Sequence, residues 1–267
     1  MCSMQGAWET DATSRSSERP GEVVAPSATS IRTSNGIERL RTQMRKTILA
    51  LISGCLALGA TAAEISGNVT IATDYSFRGW SQTTRDPAIQ GGFDVAAESG
   101  FYVGTWMSNV NFGDDTSTEL DLYVGYGGEF GDSGVSYDVS YIRFEYISEG
   151  DAYDYNELAA SVGVNAFTFG INYSDAYLGD GGPTFYYPYA GYSWSVTENA
   201  AIDFHVGFNN ADEINGDDDM YIDYGVTLTF PVAGADIGIG LIGTDLDEDV
   251  CDADCEARVI LSISKSL

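Results

Sequence analysis

The chain of 267 residues carries 40 acidic and 12 basic side chains, a formal charge of −28, together with 31 Gly, 17 Tyr and 12 Phe. Such an acid excess excludes nucleic-acid binding, which needs Lys and Arg against phosphate. Gly and aromatic residues rising together point to twisted β-sheet with rings at a membrane interface.

Residues 1–43 are polar, rich in Ser, Thr, Arg and Glu, and show neither helical nor strand periodicity. They read as an unstructured extension upstream of the true start, Met44. From there Met44-Arg45-Lys46, an apolar stretch at 47–60 and Thr61-Ala62-Ala63 form a basic, an apolar and a small-residue region in turn. That order is a signal peptide at 44–63, cleaved after Ala62 or Ala63. The apolar stretch falls short of the roughly twenty residues that a membrane-spanning helix needs, and no other run approaches that length. Ile52-Ser53-Gly54-Cys55 loosely fits lipoprotein processing, although the apolar region between Lys46 and Cys55 is short for it. Behind Ala63 stand 35 acids against 5 bases, a charge of −30 over residues 64–267. Such a surface draws cations.

After Glu64 the pattern has period two, in segments of about ten residues, the length a tilted strand needs to cross a membrane. In the first, Ile65, Val69, Ile71, Tyr75 and Phe77 share one face, and Asn68, Thr70, Asp74, Ser76 and Arg78 the other. The division recurs at Phe167, Phe169, Ile171 and Tyr173, at Ile202, Phe204, Val206 and Phe208, and at Met220, Ile222, Tyr224, Val226, Leu228 and Phe230. Weaker segments at 88–97, 101–111, 118–127, 135–146, 155–163, 184–195, 235–244 and 257–267 bring the total to twelve. The alternation of 135–146 changes phase near Arg143. Tight connections at 98–100, 164–166, 196–199 and 231–234 alternate with longer acidic ones at 148–154, 210–219 and 245–256. An even strand count with short turns on one side and long loops on the other is the plan of a bacterial outer-membrane barrel. A half-buried soluble sheet also alternates. Mid-strand charge on the polar face, the lack of a packing helix and a terminal strand at 258–267 favour the membrane barrel.

The run Thr73-Asp74-Tyr75-Ser76-Phe77-Arg78-Gly79-Trp80-Ser81-Gln82 resembles the TorF-type porin family. So do Asp86-Pro87-Ala88-Ile89-Gln90-Gly91-Gly92, Gly100-Phe101-Tyr102-Val103-Gly104-Thr105-Trp106, Glu119-Leu120-Asp121-Leu122-Tyr123-Val124-Gly125-Tyr126 and the closing Ser262-Ile263-Ser264-Lys265-Ser266-Leu267. The resemblance covers residues 64–267 and implies an outer-membrane barrel of porin type. It implies no particular substrate and no catalytic residues. The terminal Leu267 departs from the Phe usual in the C-terminal signal that the barrel assembly machinery reads.

Asp74 and Arg78 fall on the same polar face, and either bias ion passage as a charged constriction or pair to fill the barrel. Asp94, Glu119, Asp121, Glu157, Asp203, Asp223 and Asp236 are further inward acids, free to line water, face the outer mouth or pair with Arg143. His205, the only histidine, points inward beside Asp203 and suits a hydrogen-bonded lumen residue better than a hydrolase base. Phe185, Tyr186, Tyr187, Tyr189, Tyr192 and Trp194 occupy both faces of one segment, the outward ones as a girdle and the inward ones as a possible solute-contacting stripe. The acidic run at 212–219 lacks the spacing of a calcium loop and reads as a solvated outer loop bridged to lipopolysaccharide. Cys251 and Cys255 read as a loop disulfide, with no His beside them to complete a metal site.

The expected product is therefore an all-β, twelve-stranded antiparallel transmembrane barrel over 64–267, with no enzyme activity, cofactor or metal. It would sit in outer-membrane lipid and pass small hydrophilic solutes or cations through an acidic lumen. A non-conducting structural or adhesive barrel and a secreted, ligand-binding soluble β-protein are the alternatives.

Overall fold

A computed structural model describes residues 63–147, 153–179, 181–210, 220–251 and 253–267. The signal-peptide and upstream-extension readings and the acidic run at 212–219 lie outside the described residues, apart from Ala63. The strands are β1 (Ala63–Ala72), β2 (Ser76–Phe77), β3 (Trp80–Ser81), β4 (Ala88–Ala97), β5 (Phe101–Asn109), β6 (Thr118–Glu129) and β7 (Val135–Ile147). They continue with β8 (Tyr155–Val164), β9 (Phe167–Ser174), β10 (Phe185–Ser195), β11 (Ala201–Asn209), β12 (Tyr221–Val232), β13 (Ala235–Thr244), a one-turn helix α1 (Glu248–Cys251) and β14 (Arg258–Ser266).

All strands except β2 and β3 close into one antiparallel barrel of twelve strands, each beside its neighbour in sequence. β1 completes the ring by pairing with β4 on one side and β14 on the other, from Asn68↔Ser266 to Ala72↔Ser262. The strands form where the period is two because that spacing sends alternate side chains to opposite faces. Ile65, Ile89, Phe93, Val139, Leu158, Phe169, Leu241 and Val259 are exposed on the outside, while Ser66, Thr70, Asp94, Ser140, Thr168, Asp203 and Ser262 take the inward positions of the same strands.

Short connections at 98–100, 130–134, 165–166, 196–200 and 233–234 lie at the barrel end that carries Ala63 and Leu267, and the long loops lie at the other. Around the turn end, outward rings join into clusters: Phe101 against Tyr126 at 4.7 Å, Phe130 against Tyr137 at 4.6 Å and Phe167 against Tyr192 at 4.8 Å. Near the loop end Tyr173 meets Tyr186 at 5.2 Å. An apolar belt between two aromatic levels is the surface that a bilayer selects.

Two sequence expectations need correction. β1 ends at Ala72, so Tyr75 and Phe77 do not continue its outward face. Residues 73–87 turn into the barrel, and both rings belong to an aromatic core inside the loop-end half. Nor does β7 change phase at Arg143. The register holds throughout, with Ser140, Ile142, Phe144 and Tyr146 inward and Tyr141, Arg143 and Glu145 outward. The pattern inverts because the lumen is apolar there, while the outer surface near the loops carries charge.

Glycines on the inner wall make room for tyrosine rings from neighbouring positions. A β-carbon on Gly104 would stand 2.4 Å from the Tyr123 ring, and one on Gly125 would stand 2.3 Å from Tyr102. Those rings lie across the wall and donate to carboxylates, Tyr123 to Asp94 at 2.5 Å and Tyr102 to Asp138 at 2.8 Å. Gly104→Ala should therefore cost about 1–3 kcal/mol through overpacking, read by urea unfolding in micelles. Adding Tyr123→Ala should recover part of that loss, a non-additivity expected of contacting residues.

Candidate functional site

Residues 73–87 form a hairpin folded into the lumen. Its tip, Arg78-Gly79, has positive φ at both residues, 50° and 85°, as the two central positions of a type I′ turn require. Glycine is needed at the second, since a β-carbon there would meet Thr244 at 2.3 Å. The base of the hairpin is organised by the buried Asp74 carboxylate, which accepts from Ser81 Oγ at 2.6 Å, Thr83 Oγ1 at 2.9 Å and Arg258 Nε. Arg258 also donates to Gly79 O at 2.9 Å, tying the last strand to the turn.

From that turn the Arg78 side chain crosses to β8. Both terminal nitrogens donate to Glu157, each at 2.7 Å, with the arginine side chain 4% exposed and the glutamate fully buried. Asn172 donates a further bond to Glu157 at 2.8 Å. The guanidinium lies over four rings, 4.5 Å from Phe77, 5.6 Å from Tyr177, 4.6 Å from Phe185 and 4.4 Å from Tyr187. Phe185, Tyr187 and Tyr189, alternate residues of β10, stack down the inner wall in a ladder that begins with Tyr177 against Phe185 at 3.9 Å. On the other side of the hairpin, Tyr75 donates to Glu119 at 2.9 Å and packs on Trp106 at 5.2 Å. Hairpin and wall together fill the loop-end half of the lumen.

The loops brace this plug. Cys251 and Cys255 are joined in a disulfide, and the loop they close offers Asp254 O to Ser81 N at 2.8 Å, while Ala253 O and Glu256 accept from Arg85. In the 110–117 loop, Asp114 accepts from Thr116 N at 2.8 Å and Tyr153 OH at 2.9 Å. Slight burial opposes ionisation there, but these donors outweigh it and hold the carboxyl below its ordinary pKa.

Below the hairpin lies a cavity of about 420 Å³, lined by Phe77, Arg78, Tyr187, Tyr189, Asp203, His205, Asp223 and Thr227 among others. A second, of about 310 Å³, lies on the Asp74, Tyr75 and Trp106 side, and both touch Ser76, Thr227 and Ile242. Asp223 gathers a polar cluster in which His205 Nε2 lies at 3.0 Å, Tyr187 OH at 3.1 Å and Asn209 Nδ2 at 2.8 Å. Among the described contacts of His205 are the Tyr187 hydroxyl and the Asp223 carboxylate.

The inward acids thus divide by depth. Asp74, Glu119, Asp121, Glu157 and Asp223 sit in the filled half, whereas Asp94, Asp203 and Asp236 face the open half towards the turn end. Arg143, one of the alternative partners considered for the inward acids, stands outside and binds Asp154 at 2.8 Å. Sequence reasoning missed Arg258, Tyr75 as a lumen residue, and the Tyr187–Asn209–Asp223 network. The positive-φ tip was visible only as an Arg-Gly pair in a segment that otherwise kept strand alternation.

A family model for a bacterial protein of unknown function, Gcw_chp, matches residues 57–267. The chain belongs to the Gcw_chp family. No curated protein matches the sequence. Among solved structures, this Gcw_chp member is similar to the KdgM porin, at 8% identity and a TM-score of 0.48 over 77% of this chain and 99% of that one. It is also similar to the NanC porin, at 9% identity and 0.49 over 74% and 97%. The COG4313 outer membrane channel from Pseudomonas putida F1 matches at 9% identity and 0.47 over 78% and 97%.

Removing one partner of a buried ion pair strands the other charge, at about 3–5 kcal/mol. Arg78→Ala should therefore destabilise the barrel by that order in urea unfolding followed by tryptophan fluorescence. The double replacement Arg78→Met with Glu157→Leu should cost markedly less than the single one.

Proposed function

We propose that the chain is a porin-like channel of the outer membrane, with its chain termini in the periplasm and its long acidic loops outside. The expected signal peptide and the TorF-type porin resemblance fit this reading. A closed barrel satisfies every strand's backbone bonds internally, as hydrocarbon demands, and an apolar belt of this extent on a soluble protein would be an aggregation liability.

The observation that carries the transport reading is the charge of the open half of the lumen. Asp94, Asp138, Asp203 and Asp236 occupy inward positions there. Each described basic residue is engaged elsewhere: Arg78 and Arg258 in the plug, Arg85 at the loops, Arg143 outside, and Lys265 on Gly234 O at the rim. Unopposed carboxylates raise local cation concentration and repel anions. The pore therefore passes small hydrophilic solutes with a preference for cations, by diffusion and without a cofactor. Lipopolysaccharide surrounds the loop end, and the barrel assembly machinery reads β14. The filled outer half favours one further reading, a barrel that does not conduct and serves structure or adhesion.

Refolded protein in planar bilayers under a KCl gradient separates the two. Cation-selective steps, with a reversal potential that moves towards zero in Asp94→Asn and Asp203→Asn, are expected. Anion selectivity would contradict the acidic-pore reading, and a correctly folded barrel that passes no current would leave the structural role.

A further inference from the structure

We infer that the lumen holds a binding subsite for a small organic monocation, formed by Tyr189 of β10, Asp203 and His205 of β11 and Asp223 of β12. The inference rests on the lumen being a solute path and names the class of solute it would retain.

An aromatic wall runs down one side of the cavity. A cation already lies on its upper rungs, since the Arg78 guanidinium stands 4.6 Å from Phe185 and 4.4 Å from Tyr187. The next rung, Tyr189, continues the stack 5.7 Å from Tyr187 and 5.9 Å from His205, and no described cation lies over it. Ring faces attract cations most when water is partly excluded.

Charge in the cavity is unevenly committed. Arg78 and Glu157 neutralise each other out of solvent. Asp223 is occupied by Tyr187, His205 and Asn209. Asp203 is exposed to the cavity, and no described residue forms an ion pair or hydrogen bond with its carboxylate. A ligand in this cavity therefore meets one uncommitted negative charge, with Tyr189 also in the lining.

Size and hydration narrow the class of cation. A cavity of about 420 Å³ exceeds what a bare metal ion fills. The guanidinium group is weakly hydrated and planar, so it can stack on a ring and still meet a carboxylate bidentately. A neutral solute of the same shape would leave Asp203 unanswered.

Titration of the full refolded barrel in detergent with methylguanidinium, followed by calorimetry, tests this against methylurea, its neutral counterpart of like shape. Saturable binding of methylguanidinium is expected, weakened roughly tenfold in Asp203→Asn and in Tyr189→Leu, with methylurea showing none. Circular dichroism confirms that the variants fold, and Asp203→Asn, at an exposed position, keeps the test decisive if Tyr189→Leu does not. Equal binding of methylurea, or an unchanged affinity in Asp203→Asn, would overturn the subsite. In parallel bilayer recordings, binding without conductance would sink the channel reading and sustain the subsite. Conductance without binding would do the reverse.

Discussion

Closure of the sheet is the constraint on which everything else in this molecule rests. β1 lies between β14 and β4, so the ring presents no open edge, and its backbone polar groups find partners within the wall. Strand number then sets the lumen. Eight strands make a barrel that side chains can fill, and sixteen or more leave a broad aqueous channel. Twelve strands leave a space too wide for wall side chains alone and narrow enough for one hairpin to occupy. Residues 73–87 are that hairpin. Two buried ion pairs, Arg78 with Glu157 and Arg258 with Asp74, fix it to opposite parts of the wall.

The barrel was legible in the sequence because a closed sheet with two unlike faces imposes period two on its strands and the turns at one end are short. The segments at 88–97 and 235–244 coincide with β4 and β13, and the others differ by a few residues at their ends. The plug was not legible for a specific physical reason. Alternation tells one face from the other but cannot tell hydrocarbon from an apolar core inside the barrel, so Tyr75 and Phe77 read as outward by parity alone. The same ambiguity produced the false phase change at Arg143, where Phe144 and Tyr146 face the plug core. The Asp-Tyr-x-Phe-Arg-Gly run that carried the family resemblance turns out to be the plug's own specification. Asp74 gathers its base, Tyr75 and Phe77 pack it, Arg78 anchors it, and Gly79 permits its turn.

Electrostatics separates the two halves of the lumen. In the loop-end half, the buried carboxylates Asp74, Glu119, Glu157 and Asp223 are answered by arginine or by hydroxyl and amide donors. Towards the turn end, carboxylates face open space without a base opposite them. That asymmetry makes Asp203 and Asp94 candidates for acting on a solute, while Asp74 and Glu157 act on the protein itself. The disulfide loop at Cys251 and Cys255 belongs to the structural half, because its carbonyls hold the hairpin.

The hairpin, more than the barrel wall, sets the width of the lumen. Single-channel conductance of the intact barrel compared with a variant whose residues 73–87 are replaced by a short Gly-Ser link measures this directly. A large rise in conductance in the linked variant, with the barrel still folded, is the predicted result. Equal conductance in the two would show that the hairpin does not obstruct the path, and would contradict a lumen set by the plug.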